Sequence, residues 1–340
     1  MNTPIQKILF GSPGTGKSYR VDKIISSDME IYVEKTPENV IKTVFHPEYT
    51  YGDFVGKLMP ISNEDGKVKY SYYEGHFLKA LAQAYKNLLK PSDKDGEDVV
   101  LVIDEINRGN SAAIFGNIFQ LLDREKNGWS NYQINISEME IIKLLELIGV
   151  SELGQFTKFQ LKPNDWIGNL EILPEKIALL HLDLKNRTIK IPKNLSIIAT
   201  MNTSDSSIYY MDSAFKRRWD WEFIGIDGKP VKADGIAFNN REEWEKFVKQ
   251  LNIFIKGKHK HIRGIEDKQV GYRFINTLDD ERIAKSTIQN KLMFFIWDNV
   301  FNRDKEPLIK LMKSTNDKLI TFGDFAEQVD MFIKNIQEKY

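Results

Sequence analysis

Gly11-Ser12-Pro13-Gly14-Thr15-Gly16-Lys17-Ser18 is the stretch on which the fold turns. It has the form G-x-x-x-x-G-K-[ST], and its surroundings agree: apolar Ile8 to Phe10 reads as a strand entering it, and Tyr19 to Ile25 has the apolar spacing of a helix leaving it. Each residue type answers a need of phosphate binding. Glycines let backbone N–H groups wrap an anion at a helix N-terminus, Lys17 brings a charge to the terminal phosphates, and the Ser18 hydroxyl is an oxygen ligand for Mg²⁺. The stretch, with the adjoining Tyr19, therefore implies a nucleoside triphosphate held with Mg²⁺.

Working outward, Val99 to Ile103 is an unbroken run of valine, leucine and isoleucine, the pattern of a parallel strand covered on both faces, and Leu195 to Thr200 is a second. Thr43 to His46 reads as a further strand, Phe77 to Leu89 as an amphipathic helix, and the segment around Asn63 to Gly66 as a hairpin turn. Alternating strands and helices of this kind predict an α/β protein with a parallel sheet between helical layers. The first run ends in Asp104-Glu105. There Asp104 is expected to hold Mg²⁺ and Glu105 to polarise an attacking water as general base. Tyr132 to Ile136 and Thr188 to Ile191 alternate and read as paired strands, so the intervening insertion, about Ser137 to Asn186, is expected to project from the core. It is partly helical over Glu138 to Ile148 and carries Phe156 and Trp166. After Phe223 the period is helical, at Glu242 to Phe254, Ile288 to Phe301 and Phe325 to Ile336, which predicts a separate helical domain.

Asp104-Glu105-Ile106-Asn107-Arg108-Gly109-Asn110 resembles the D-E-I-N-R-A/G-N run of the McrB and MoxR-like AAA+ group, and Met201-Asn202-Thr203-Ser204-Asp205 resembles the M-N-T-x-D signature of McrB. The aromatic segment from Thr43 to Phe54 and the box Ala214-Phe215-Lys216-Arg217-Arg218-Trp219 are also similar to McrB elements. The resemblance implies an AAA+ P-loop NTPase, with a three-layer α/β/α core over residues 1–224 and a C-terminal α-helical lid over 225–340. It implies that Asn202 orients the lytic water with Asp205 in support, and that Arg217 and Arg218 are an arginine finger pair reaching a neighbouring subunit's nucleotide. Arg273, in Val270-Gly271-Tyr272-Arg273-Phe274, is where the lid could return an arginine to the site.

The resemblance further implies a homo-oligomeric ring, expected to be hexameric, working with a McrC-like endonuclease subunit and with DNA. The base stays open between GTP and ATP. The biological role stays open as well, between a restriction or phage-defence motor, a MoxR-like ATPase remodelling a protein partner, and a nucleotide-gated scaffold. No nuclease cluster of carboxylates and lysine stands out, so cleavage is expected of the partner.

Composition narrows the classes. The 340 residues carry 48 Lys plus Arg against 48 Asp plus Glu, so no whole-molecule field drives the chain onto nucleic acid or membrane. The count of zero cysteines excludes disulfides, thiolate metal sites and thiol nucleophiles, and fits a cytoplasmic protein. No run approaches the roughly 18 apolar residues of a membrane span. The basic stretch Lys256 to Arg263 reads as a solvated loop whose histidines have no spacing partner for a metal.

Overall fold

The computed structural model describes residues 3–62, 66, 68–90, 96–152, 159–161, 178–203, 209, 211–275, 282–312 and 319–340. The chain divides into two compact units, one of Met1–Ile8 with Gly16–Trp219 and one of Leu9–Thr15 with Asp220–Tyr340.

The first unit is built on parallel strands. β1 is Gln6–Gly11, β2 Val40–Val44, β3 Gly56–Ser62, β4 Val68–Glu74 and β5 Val99–Asp104; β6 is Ile134–Asn135, β7 Val150–Glu152, β8 Phe159–Leu161, β9 Thr188–Ile189 and β10 Leu195–Asn202. β10 pairs in parallel with β5, from Leu195 opposite Val99 to Ala199 opposite Ile103. β2 flanks β5 in parallel on the other side, from Val40 opposite Val100 to Val44 opposite Asp104. The order runs β1-β10-β5-β2. Val99, Val100, Leu101 and Ile103 are wholly buried, which is why this strand has no polar alternation. β2 lies two to three residues earlier than the pattern over Thr43 to His46 suggests. Pairing ends when the Phe45 N–H donates to the Asp104 carbonyl at 2.9 Å, because Pro47, next in the ladder's alternation, has no N–H to donate.

Helices in this unit are α1 (Lys17–Lys23), α2 (Tyr51–Phe54), α3 (His76–Leu89), α4 (Ser111–Phe115), α5 (Glu138–Leu147) and α6 (Ser213–Lys216). β3 and β4 form an antiparallel hairpin, and residues 63–65 of its expected turn lie outside the described residues. β6 and β9 pair antiparallel as the alternation suggests, over two residues each. The start of the insertion does not project. α5 begins at a Ser137–Glu140 capping box and buries Ile141, Leu144 and Leu145, while Tyr51 donates to Glu140 at 3.2 Å and Lys143 pairs with Glu74 at 3.4 Å. Amphipathic spacing reports a buried face without saying what covers it. Phe156 and Trp166 lie outside the described residues.

In the second unit, β11 (Asp220–Phe223) leads to Ile224, whose N–H donates to the Phe10 carbonyl at 2.8 Å. Phe10 packs on Trp221, Phe223, Phe294 and Phe322. Among the helices that follow are α7 (Arg241–Gly257), α8 (Glu306–Met312), α9 (Phe322–Ala326) and α10 (Val329–Lys339). The segment expected to be one helix over Ile288 to Phe301 is wound more widely at Ile288–Met293 and Ile296–Val300. Buried Gln289 and Asn290 there face outward from the helix to hold the backbone of Ala233, Phe223 and Ala326. Phe325 to Ile336 is likewise divided between two helices, α9, which a Thr321–Asp324 capping box starts, and α10. No helix among the described residues is long and apolar enough to cross a membrane.

Lys305 supplies a pH-dependent contribution in this unit. Its ammonium donates to the carbonyls of Trp297 and Phe301 and lies 4.4 Å from the Trp297 ring, and burial pulls its pKa from 10.5 down to about 8. Below pH 8 the folded chain carries a desolvated charge that the unfolded chain exposes freely. As pH rises from 8 towards 10.5 the unfolded state binds more protons, so stability rises. Melting temperatures of wild type and Lys305→Met should therefore diverge in favour of wild type between about pH 7.5 and about pH 9.5. A constant difference across that range would remove Lys305 as the cause.

Candidate functional site

The glycine-rich loop is shaped by two left-handed residues. Gly14 and Gly16 have φ of 78° and 77°, a region that a side chain enters only under strain, and nothing lies within 4 Å of where a Cβ would stand on either. The loop is closed by Thr15, whose hydroxyl donates to the Ser12 carbonyl at 3.0 Å. At Gly11 a Cβ would collide with the Ile224 carbonyl, so this position admits glycine alone. Gly16 caps α1, which opens with Lys17 and Ser18; Lys17 is buried and Tyr19 is exposed. Pro13 is exposed. Open space over two left-handed glycines at a helix start, beside a buried lysine, is a cradle that fits a chain of phosphates.

The carboxylates stand at the ends of the paired strands. Asp104 closes β5, and Glu105 follows in the left-handed region at φ 54°, uncommon for a residue with a side chain. Asn202 closes β10, and its amide donates to Glu105 Oε1 at 2.6 Å. This brings two of the sequence-derived residues into direct contact. Thr200 donates its hydroxyl proton to Asp104 Oδ1 at 3.0 Å and accepts from the Glu105 N–H at 3.1 Å. Asn107 donates to the Asn202 carbonyl at 2.9 Å. An Asp carboxylate and a Ser hydroxyl are hard oxygen donors, the chemistry that suits Mg²⁺. Asp205 lies outside the described residues.

The arginine box divides in two. Arg217 is exposed on the turn after α6. Arg218, next to it, is turned into its own unit: its guanidinium pairs with Asp123 at 2.8 Å, donates to the Ala214 carbonyl at 2.7 Å and stacks 4.5 Å from the Phe119 ring. Gln6 fastens the same turn by donating to the carbonyls of Arg218 and Leu122, and accepts from Arg124. Arg124 is half-buried; the carbonyls of Gly128, Ile191, Pro192 and Leu195 surround its guanidinium, and desolvation lowers its pKa to about 9. Sequence reasoning missed Thr200, Asn107, Asp123, Gln6 and Arg124, each of which has a partner distant in the chain.

Arg273 lies in the second unit, exposed, with its guanidinium 5.5 Å from the Tyr272 ring. The histidines near Lys256 have no spacing partner for a metal in sequence, but the fold brings Asp304 and Glu306 within 4.8 Å of His261. Sequence spacing cannot show a partner more than forty positions away. Both carboxylates are already engaged, Asp304 with His261 and the Glu306 N–H and Glu306 with Lys310, so the cluster is a helix start with ion pairs.

Comparison with known proteins agrees with this geometry. Residues 6–219 match the AAA domain of the dynein-related subfamily. The chain is 27% identical over 350 aligned positions to the Type II restriction enzyme BsuMI component YdiS of Bacillus subtilis, covering 96% of this chain and 86% of that protein. It is 26% identical over 220 positions to the Type IV methyl-directed restriction enzyme EcoKMcrB subunit of Escherichia coli, covering 65% of this chain and 35% of that one.

Proposed function

The chain belongs to the dynein-related subfamily of AAA domains, and from that premise we propose that it is the Mg²⁺-dependent NTP-hydrolysing motor subunit of a McrBC-like restriction or phage-defence complex. The observation that carries the hydrolytic part is the contact between Asn202 and Glu105, which aims a carboxylate from the end of β5 and steadies it from the end of β10. Support for the restriction setting comes from the two relatives, both restriction components by name. Residues 1–224 form the nucleotide-binding core in this reading, and 225–340 the lid that contributes Arg273.

The backbone N–H groups of Gly14 to Ser18 hold the phosphate chain, and Lys17 places its ammonium on the terminal oxygens. Ser18 and Asp104 would hold Mg²⁺, which when bound would offset charge on the phosphate oxygens. Glu105 accepts a proton from the attacking water while Asn202, backed by Asp205, keeps the carboxylate and water aligned. Arg217 reaches the neighbouring subunit's nucleotide and Arg218 anchors the turn that presents it. The always-charged planar guanidinium suits charge spread over phosphate oxygens. The ring, expected to be a hexamer, uses GTP or ATP to move DNA and to activate a McrC-like endonuclease, and works in the cytoplasm.

Phosphate release by the purified chain, with GTP and with ATP and with or without Mg²⁺, tests the hydrolytic part. Mg²⁺-dependent release from one or both purine nucleotides is expected, and none from either would sink it. Adding a McrC-like endonuclease, with DNA, tests the setting. Nucleotide-dependent DNA cleavage is expected, whereas nucleotide-dependent change in a protein partner without DNA would favour remodelling.

A further inference from the structure

We infer that Thr200 is a positioning residue for the hydrolytic carboxylates, an inference that rests on the roles proposed for Asp104 and Glu105. Thr200 lies one step beyond the last paired residues of β5 and β10, Ile103 and Ala199, and is buried. A hydroxyl has one proton and two lone pairs. Here the proton goes to Asp104 Oδ1 at 3.0 Å and a lone pair receives the Glu105 N–H at 3.1 Å, while the Thr200 carbonyl accepts from the Ile106 N–H at 3.0 Å. Three consecutive residues, Asp104, Glu105 and Ile106, are thus each tied to one strand position.

Two consequences follow from the geometry. One oxygen of Asp104 is committed to Thr200, which fixes the carboxylate's rotation and hence the direction of the other oxygen. Glu105 is also held at φ 54°, a conformation that a residue with a side chain keeps only when its surroundings over-determine it. Released from Thr200, the turn can relax towards ordinary backbone angles, and the Glu105 carboxylate leaves the position where Asn202 meets it. An ordinary buried strand threonine would serve by its methyl group alone. Valine, which keeps the shape and deletes the hydroxyl, separates the two roles.

The experiment uses the full chain as wild type, Thr200→Val, Thr200→Ser and Glu105→Gln. The first readout needs no nucleotide. Hydrogen–deuterium exchange of the peptide spanning Asp104 to Asn107 should be faster by about tenfold or more in Thr200→Val and near wild type in Thr200→Ser. The second is the Mg²⁺ concentration for half-maximal binding of a fluorescent GTP or ATP analogue, measured in the Glu105→Gln background so that nothing is consumed. It should rise severalfold with Thr200→Val and stay unchanged with Thr200→Ser. Turnover should fall by about tenfold or more with valine and less than about threefold with serine. Wild-type exchange and Mg²⁺ dependence in Thr200→Val, or a Thr200→Ser protein as impaired as the valine one, overturns the inference. Should Thr200→Val not fold, Thr200→Cys, whose thiol is a weak donor, replaces it against serine with the same two overturning results. Retained turnover in Glu105→Gln would sink the base role alone, since the exchange result reads the threonine contacts independently.

Discussion

Replacing Glu105 by glutamine is expected to lower turnover by about 10²-fold or more while nucleotide binding stays near wild type. The structure makes this substitution clean. Asn202 donates to Glu105 Oε1 at 2.6 Å, and a glutamine carbonyl oxygen can accept the same bond, so the side chain keeps its place. The backbone ties of residue 105 to Thr200 do not involve its side chain and survive as well. What is lost is the negative charge and the ability to take a proton from water. Lys17→Ala should behave differently, because Lys17 is buried at the start of α1 and contributes its charge to binding itself. Its nucleotide affinity should fall by about tenfold or more, the loss expected for a charge-assisted hydrogen bond. Equilibrium binding and steady-state phosphate release on the two purified variants check the contrast. Turnover of Glu105→Gln within about threefold of wild type would remove the general-base role.

How much of this could be read from the chain depends on how local the requirement is. Gly14 and Gly16 are legible because the left-handed angles they adopt strain a residue with a side chain and because the motif spans eight neighbours in sequence. The parallel sheet is legible at β5, where burial on both faces leaves no polar position from Val99 to Ile103. Thr200 is another matter. In sequence it is one more β-branched residue in an apolar strand, and its meaning arises only when the fold sets its hydroxyl beside a carboxylate 96 positions away. α5 shows the same limit from the other side: its apolar spacing is plain, yet its packing against the core depends on Tyr51 and Glu74, far upstream. Helix bounds after Ile283 are less legible, because buried Gln289 and Asn290 are committed to backbone groups more than fifty positions away.

Arg217→Ala and Arg218→Ala are expected to fail for different reasons, although the two residues are adjacent. Arg218 is committed to its own unit, where removing it leaves Asp123 without its ion pair at 2.8 Å and the Ala214 carbonyl without a donor at 2.7 Å. Loss of those charge-assisted bonds should destabilise the subunit by about 1–3 kcal/mol and lower its melting temperature. Arg217 is exposed on the same turn, so its truncation should leave the melting temperature within about a degree or two of wild type, as surface changes usually do. Its effect should fall on turnover instead, about 10³-fold or more, the range of an arginine that stabilises charge on a transferring phosphoryl group. Mixing decides whose nucleotide it serves. Glu105→Gln subunits keep Arg217 and lack the base, and Arg217→Ala subunits keep the base and lack the arginine. If Arg217 reaches across a subunit interface, a mixed assembly contains sites with an intact base on one subunit and an intact arginine on the next, and phosphate release returns in part. If Arg217 serves its own subunit, no site in any mixture is complete and activity stays at the level of the two inactive proteins. A melting temperature lowered as far by Arg217→Ala as by Arg218→Ala would show that Arg217, too, is structural, and would withdraw it from the neighbour's site.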